Sequence, residues 1–463
     1  MPSNDKMEEI ISLCKRRGFV FPGSEIYGGL ANSWDFGPLG HLLKQNIKKA
    51  WWKFFVQERE DMVGIDAAII MNPKVWVASG HLENFSDQLV ECKECHHRFR
   101  IDHLLEAKGI TPKYDKDQIV MDNSVVCPDC EGKLTDPKSF NLMFKTFIGT
   151  NEDNTTEAYL RPETAGGMFV NFKNVQQTTR RKLPFGIAQI GKCFRNEITP
   201  GNFIFRTREF EIGELEYFIN PHSPAGEWEK IFEMWLTEIK RWWQDVMKVN
   251  VDNLVWHEIP DGERAHYSKR TMDIEYKYPF GIKELHGIAY RTDFDLSRHE
   301  KVSGADLHYT DPETNEKFIP HVIEPTFGIE RMLLVALLEA YHEEEAPTSE
   351  EGETEKRIVM KFPKYLAPYQ VAVLPLSKKD ELSQVSKPLA AELRKHFVVD
   401  YDETQSIGKR YRRQDEIGTP YCVTVDFESI EDKKVTVRDR DTMAQERVAI
   451  AELKNYLEGK FIN

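Results

Sequence analysis

The sequence predicts an α+β protein with a further α/β domain at its C-terminal end, on three observations. Leu183–Glu216 reads as a strand, a Pro200-Gly201 turn and a returning strand from Phe203 to about Phe218. Leu39, Leu42, Leu43, Ile47, Ala50, Trp51, Phe54 and Phe55 recur at helical spacing and make one broad apolar face. Beyond an acidic stretch, Glu343–Glu355, strand and helix patterns alternate to the end of the chain.

Bulk properties bound the function. A length of 463 residues suggests about three domains at roughly 150 residues each. No apolar run approaches the ~20 residues that span a bilayer, and the first residues, MPSNDKMEEI, hold no apolar signal core. Seven cysteines, four of them in CxxC pairs, suit a reducing compartment, so a cytoplasmic protein without a membrane role is expected. The formal net charge of −14 excludes nonspecific coating of nucleic acid but leaves room for a local RNA-binding surface.

Taken in order, Met7–Arg17 reads as a helix and Gly18–Leu30 as a glycine-rich strand-and-turn region. Ser33–Gly40 leads into the long amphipathic helix. Gly64–Phe85 reads as a strand, a turn and a short helix. Cys92/Cys95 and Cys127/Cys130 then form two CxxC knuckles 31 residues apart. Two knuckles can close a four-thiolate shell around one zinc, although the spacing exceeds that of compact ribbons and relics without metal remain an alternative. Asn141–Gly149 reads as a strand returning to the main sheet, and Arg161-Pro162-Glu163-Thr164 as the start of a helix through Asn171. Pro224–Met247 is a Trp-rich core helix, and Tyr278–Asp295 returns to a strand.

The hairpin is unusual in its charge. Alternate residues of a strand share a face, which groups Arg195 with Glu197, Arg206 and Arg208 with Phe210 and Glu214, and Thr207 with Glu209 and Glu211. Charge on both faces fits either a solvated, ion-paired hairpin or a site for a charged ligand. Arg331 stands in the first turn of the apolar helix Met332–Tyr341, where the helix dipole disfavours a cation. A nearby anion, or pairing with Glu330, accounts for it. In the C-terminal part, Tyr369–Leu374, Val398–Tyr401, Tyr421–Asp426 and Lys434–Arg438 read as strands, and Leu382–His396, Ile407–Glu416 and Ile450–Leu457 as helices. Gly408–Arg413 (GKRYRR) is either an RNA-binding patch or a solvated helix face.

Phe194-Arg195-Asn196-Glu197 followed by Phe205-Arg206-Thr207-Arg208-Glu209-Phe210 resembles motif 2 of class II aminoacyl-tRNA synthetases, and in wording the homodimeric glycyl-tRNA synthetase family. Gly37-Pro38 and the following helix resemble motif 1, and Glu324–Arg331 resembles motif 3. The block GIDAAIIMNPKVW, Arg-Pro-Glu-Thr-Ala at 161–165 and the HYSxxTxD segment ending at Asp273 are similar to that family too. The resemblance implies an antiparallel β-sheet core with flanking helices at 1–85 and 141–342, with motif 1 at about 37–56, motif 2 at about 185–216 and motif 3 at about 322–341. It also implies an inserted zinc-knuckle-like domain at 86–140, an acidic linker at 343–358 and an α/β anticodon-binding domain at 359–463.

The implied partners are ATP with Mg²⁺, glycine, tRNA(Gly) and a second copy of the chain. The implied catalytic residues are Arg195, Glu197 and Arg331. ATP is expected against Arg195, Asn196, Glu197, Phe205, Arg206, Thr207, Arg208, Glu209, Phe210, Glu284, Leu285, Gly328, Ile329, Glu330 and Arg331. Glycine is expected against Arg100, Glu163, Phe210, Glu211, Ile212, Gly213, Glu214, Glu324, Pro325, Thr326, Phe327 and Gly328. The family commonly reads FEQME and EPS where this chain has Phe210–Glu214 (FEIGE) and Glu324-Pro325-Thr326, which touches the shape of the glycine pocket rather than the reaction. A prolyl or threonyl enzyme of the same class, or a paralogue without activity, are the rival readings.

Overall fold

The computed structural model describes residues 4–461, apart from 112, 116–117, 123, 154, 199, 266 and 348–353. His266, part of the HYSxxTxD segment, therefore lies outside the described residues, as does part of the acidic stretch.

A seven-stranded sheet organises the N-terminal two thirds, in the order Leu254–Glu258, Arg270–Tyr278, Gly281–Thr292, His321–Gly328, Glu209–Ile219, Phe185–Phe194, Met62–Gly64. All neighbours are antiparallel except the last pair. One face is apolar because the alternate residues facing that way are. Leu215, Tyr217, Ile323 and Phe327 meet Trp51, Phe55, Trp235, Trp242 and the helix Ile329–Ala340 in a continuous core. The helix Pro38–Trp52 buries Leu39, Leu43, Ile47 and Trp51 within its own chain, so its apolar face is already covered. The other face is polar at its centre and carries the helices Ala165–Thr179 and Phe294–Ser303.

Several expectations are corrected. The return strand begins at Glu209, because Phe203 and Ile204 fold into the core as part of a turn closed by Gly201 and Arg206. The segment after Asn141 does not rejoin the main sheet: Lys145–Phe147 pairs with Glu157–Tyr159 as a separate ribbon. Strands at Arg270–Tyr278 and Gln445–Ala449 were not anticipated.

Among the described residues the acidic stretch is not an open linker. Tyr341–Pro347 and Thr354–Met360 form an antiparallel hairpin in which Glu343 meets Lys356 at 2.7 Å and Glu344 meets Lys361 at 2.7 Å. Pairing across the hairpin neutralises Glu343 and Glu344, acids that composition alone assigns to solvent. The hairpin is also welded to the C-terminal domain. Arg357, fully buried, donates to Asp415 at 2.8 Å, and Asp415 accepts from Arg438 at 2.9 Å. The C-terminal domain itself is a five-stranded sheet, Val399–Tyr401, Val371–Pro375, Tyr421–Val425, Lys434–Asp439, Gln445–Ala449, with helices over its core.

Candidate active site

Two compartments meet at the centre of the polar sheet face. The first is an arginine-lined cleft of ≈ 190 Å³ bounded by Arg195, Glu197, Phe205, Arg206, Thr207, Phe210, Glu284, Leu285, Gly328, Glu330 and Arg331, and also by Ile204, Ile212, His286 and Thr326. Arg195 follows the end of its strand, donates to the carbonyl of Pro162 at 3.1 Å and lies between the rings of Phe85 and Phe210, 5.2 and 5.5 Å from their centroids. Arg331 opens the helix Ile329–Ala340, donates to the Glu284 carbonyl at 2.9 Å, pairs with the Glu284 carboxylate at 3.2 Å and lies 4.5 Å over the Phe205 ring. Glu197 is buried, with one carboxylate oxygen lacking a hydrogen bond and the Arg206 Nε at 4.0 Å. An orphaned acceptor in a cleft is a place for a ligand's donor. Asp273, unanticipated as a site residue, stands beside Glu284, and burial followed by the Glu284 charge pushes its carboxyl up to about 6.

The second compartment is a cluster of carboxylates. Glu214 accepts from the N–H of Thr164 at 2.7 Å, the Thr164 hydroxyl at 2.5 Å and the N–H of Ala165 at 2.9 Å, so it caps the helix Ala165–Thr179 from across the sheet. Burial and the Glu163 charge still raise its pKa. Glu163 lies 3.2 Å from His81. Burial works against its charge, but His81, Arg291 and Arg195 outweigh that and bring the carboxyl down to about 2. Glu324 accepts from Arg291 at 2.8 Å, and Thr326 stands opposite Glu214 in the ladder. Burial raises Glu324 to about 8 despite Arg291.

The alternation of the strands separates the expected residues. Glu211 points to the apolar side of the sheet, where it pairs with Lys44 and Lys48 at 2.8 and 2.7 Å, and does not reach the carboxylate cluster. Glu330 is likewise latched to Lys44 at 2.5 Å and accepts from the Glu211 N–H at 2.8 Å. Gly213 abuts Trp51, and Phe327 stacks with His286 in the core. Ile329 is fully buried in the same core. Asn196, Arg208 and Glu209 line an adjoining cleft of ≈ 650 Å³, where Arg208 braces the carbonyls of Glu197 and Ala31 at 3.0 Å. Arg100 pairs with Asp87 at 3.0 Å and Asp102 at 2.6 Å, with Glu197 as a further charged neighbour, so it stands by the arginine-lined cleft and not among the carboxylates. Pro325 lies in the strand between Glu324 and Thr326.

Residues that the sequence reading missed are Arg291, Asp295, Glu216, His81 and Asp273. The available signal was period-two spacing, since Glu214 and Glu216 on one strand and Glu324 and Thr326 on the next share a face. The basic run in the C-terminal helix also resolves differently. Arg410 is fully buried on carbonyls of Pro375, Leu376 and Asp402, Arg412 is bound to Glu355 and Arg413 to Asp402, so most of its charge holds the fold.

The four cysteines of the insert converge. Their sulfurs lie within 4.8 Å of one another, with Cys92–Cys130 at 3.4 Å and Cys95–Cys127 at 3.6 Å. A tetrahedral zinc with Zn–S of about 2.3 Å requires edges near 3.8 Å, so the donor set fits. The main-chain N–H groups of Cys95 and Glu94 bring the Cys92 thiol down to about 6.

Comparison with known proteins agrees with this geometry. Residues 144–341 match the class II tRNA synthetase core domain model (G, H, P, S and T), and residues 370–460 match the anticodon-binding domain model. A prolyl-tRNA synthetase from Cryptosporidium parvum, solved with halofuginone and AMPPNP, shares the fold at a TM-score of 0.62 and 14% identity, covering 99% of this chain and 78% of that one. The fold and site thus define a class II aminoacyl-tRNA synthetase. The chain is 55% identical to a glycine–tRNA ligase of Bacillus thuringiensis subsp. konkukian over 98% of its own length and 99% of the relative. It is 57% identical to one of Geobacillus kaustophilus over 98% of both chains. It belongs to the glycine–tRNA ligase family.

Proposed function

We propose that the two compartments carry the two halves of glycine activation. ATP occupies the arginine-lined cleft and glycine the carboxylate cluster. The glycine carboxylate attacks the α-phosphorus, pyrophosphate leaves, and the glycyl-adenylate then gives its acyl group to the 3′-terminal ribose of tRNA(Gly), with release of AMP. Arg195 stands where the two compartments meet, so its guanidinium can hold charge growing on the α-phosphoryl oxygens. Arg331 suits the departing phosphates, and Glu197 the adenine amino group. Phe210, now against Arg195, offers its other face to the adenine ring. Mg²⁺ supplies charge neutralisation when ATP binds, and Glu284 with Asp273 are the carboxylates that would hold it.

The observation that carries this reading is the cluster of Glu163, Glu214 and Glu324, with Arg195 as a charged neighbour of Glu163 and Glu214. Their carboxylates suit an α-ammonium, and discrimination against a β-carbon there would be steric. Amino-acid-dependent pyrophosphate exchange across all twenty amino acids tests it. Glycine alone is expected to respond, and exchange with proline or threonine instead would refute it.

The four-cysteine cluster is proposed as a structural zinc site, with about one zinc per chain when prepared without chelator. Four unbridged thiols in one cluster also favour a reducing, cytosolic setting. A homodimer is proposed as well. Ile26, Tyr27 and Leu30 stand 88, 87 and 64% exposed in a turn just before the Pro38–Trp52 helix, and a second copy is a reason for such a patch. Light scattering at micromolar concentration reads this directly, and a fully active monomer would exclude it.

A further inference from the structure

Arg291 is buried, and its hydrogen bonds among the described residues go to the floor of the carboxylate cluster. It donates twice to Asp295, at 2.7 and 2.8 Å, and once to Glu324, at 2.8 Å, while its guanidinium lies over the Tyr267 ring, 4.0 Å from the centroid. Its fork is therefore fixed by one carboxylate and reaches the other through a single N–H. Across the strand pair from Glu324 sits Glu216, fully buried, with neither carboxyl oxygen hydrogen-bonded. A buried ionised carboxylate without donors is too costly to persist, so Glu216 holds its proton. Burial followed by the Glu324 charge raises it in the same sense.

The charged and titratable groups around Glu324 are Glu214 and Glu216 from one neighbouring strand, Arg291 from the other, Asp295 from the helix behind, Glu163 from the loop before the Ala165–Thr179 helix, and Tyr267. One guanidinium faces two carboxylates, and Asp295 has the bidentate share.

We propose that Arg291 is the positioning residue for glycine recognition: it orients Glu324 and sets the pH at which that carboxylate can receive the substrate's ammonium, without touching glycine itself, while Glu216 stays a neutral neighbour. This rests on the assignment of Glu324 to the glycine pocket. Asp295 anchors the guanidinium plane, Glu324 keeps one oxygen for the pocket, and the neutral Glu216 adds no second claim on the charge.

The test is glycine-dependent pyrophosphate exchange from pH 6 to 9, with glycine and ATP varied separately, in Arg291→Lys, Glu216→Gln and Glu324→Gln. Arg291→Lys keeps the charge but loses the fork. It is expected to raise the glycine KM more than about tenfold at pH 7.5, leave the ATP KM within about twofold, and move the rising limb of the glycine profile to higher pH by about one unit, so that glycine use recovers towards pH 9. Equal rises in both KM values, or an unmoved limb, would overturn the proposal, since a merely structural arginine gives those results. Glu216→Gln is expected to leave KM and limb unchanged. An acid shift of about one unit there would show an ionised Glu216 competing for Arg291, and would overturn the proposal even if Arg291→Lys failed to fold. If Glu324→Gln itself leaves glycine use intact, the pocket assignment fails first; if Glu324→Gln is impaired and Arg291→Lys is not, only the role of Arg291 fails.

Discussion

The compartment proposed for glycine and the one proposed for ATP share a wall but are built in opposite ways. Around Glu163, Glu214 and Glu324 the carboxyl groups are buried or nearly so and already engaged, by two N–H groups and a hydroxyl at Glu214, by Arg291 at Glu324 and by His81 at Glu163. Around Arg195, Arg206 and Arg331 the cations are partly exposed, resting on aromatic rings or on carboxylates that a nucleotide and its metal would compete for. A rigid site suits the smallest amino acid, where discrimination is steric. A site of provisional contacts suits a polyanion that brings its own charges. The two should therefore fail differently when altered: one in stability and substrate affinity, the other in rate alone.

The largest expected effect is on rate. Arg195→Ala and Arg331→Ala should each slow adenylate formation by about 10²–10³, the loss expected for a transition-state donor, with a melting temperature close to the parent. Unchanged exchange in either variant would remove that arginine from the mechanism. Next comes stability. Glu214→Ala strands the N–H groups of Thr164 and Ala165 and should cost on the order of 2–3 kcal/mol in urea unfolding, whereas Glu214→Gln, which keeps an acceptor, should cost much less. Equal losses would mean that the carboxylate does not cap the helix.

The pH dependence sharpens the contrast further. With Glu324 raised to about 8, its ionised form grows as pH rises, so the glycine KM should fall between about pH 6 and 9 while the ATP KM does not follow it. The linked effect on folding has the opposite direction. The folded carboxyl keeps its proton up to about 8 against an ordinary 4.5, so its contribution to stability is full below 4.5 and declines as pH rises towards 8. Glycine saturation measured at each pH settles the first point and urea melts the second. A smaller effect concerns bulk: Thr326→Gly should improve alanine use by no more than the 1–3 kcal/mol of roughly one methylene-sized group, read as kcat/KM for alanine against glycine. The least effect on chemistry is expected from Cys92→Ser, which should lose the proposed zinc and loosen residues 86–140. Because Arg100 pairs with Asp87 beside Glu197, any change should appear in the ATP KM rather than the glycine KM.

Much of this site could be read from the amino-acid order, and what could not has a physical cause. The hairpin, both flanking motifs and the cysteine knuckles are local features, each written in a few consecutive residues. Runs such as Phe210–Glu214 and Glu324–Gly328 were read as continuous patches, yet a strand offers only every second residue to one face, so Glu211, Gly213 and Phe327 serve the opposite side. Arg291 and Glu216 escaped notice because their meaning lies in strands brought together over long sequence separation. The acidic stretch escaped for the same reason. Its partners, Lys356 and Lys361, are visible only once the hairpin closes.

The hairpin that follows the Ile329–Ala340 helix has a consequence for modularity. The helix bearing Arg331 runs directly into Tyr341, and the returning strand places Arg357 on Asp415 and on the carbonyl of Arg440 in the neighbouring domain. Among the described residues the two strands are paired along their length, so the RNA-reading end is tied to the catalytic core through Arg357 rather than hung from it as an independent cassette. A chimera carrying another enzyme's C-terminal domain would leave the buried Arg357 with Glu344 of its own hairpin but without Asp415, and would have to restore Asp415 and its arginine partners before it could be tested for anything else.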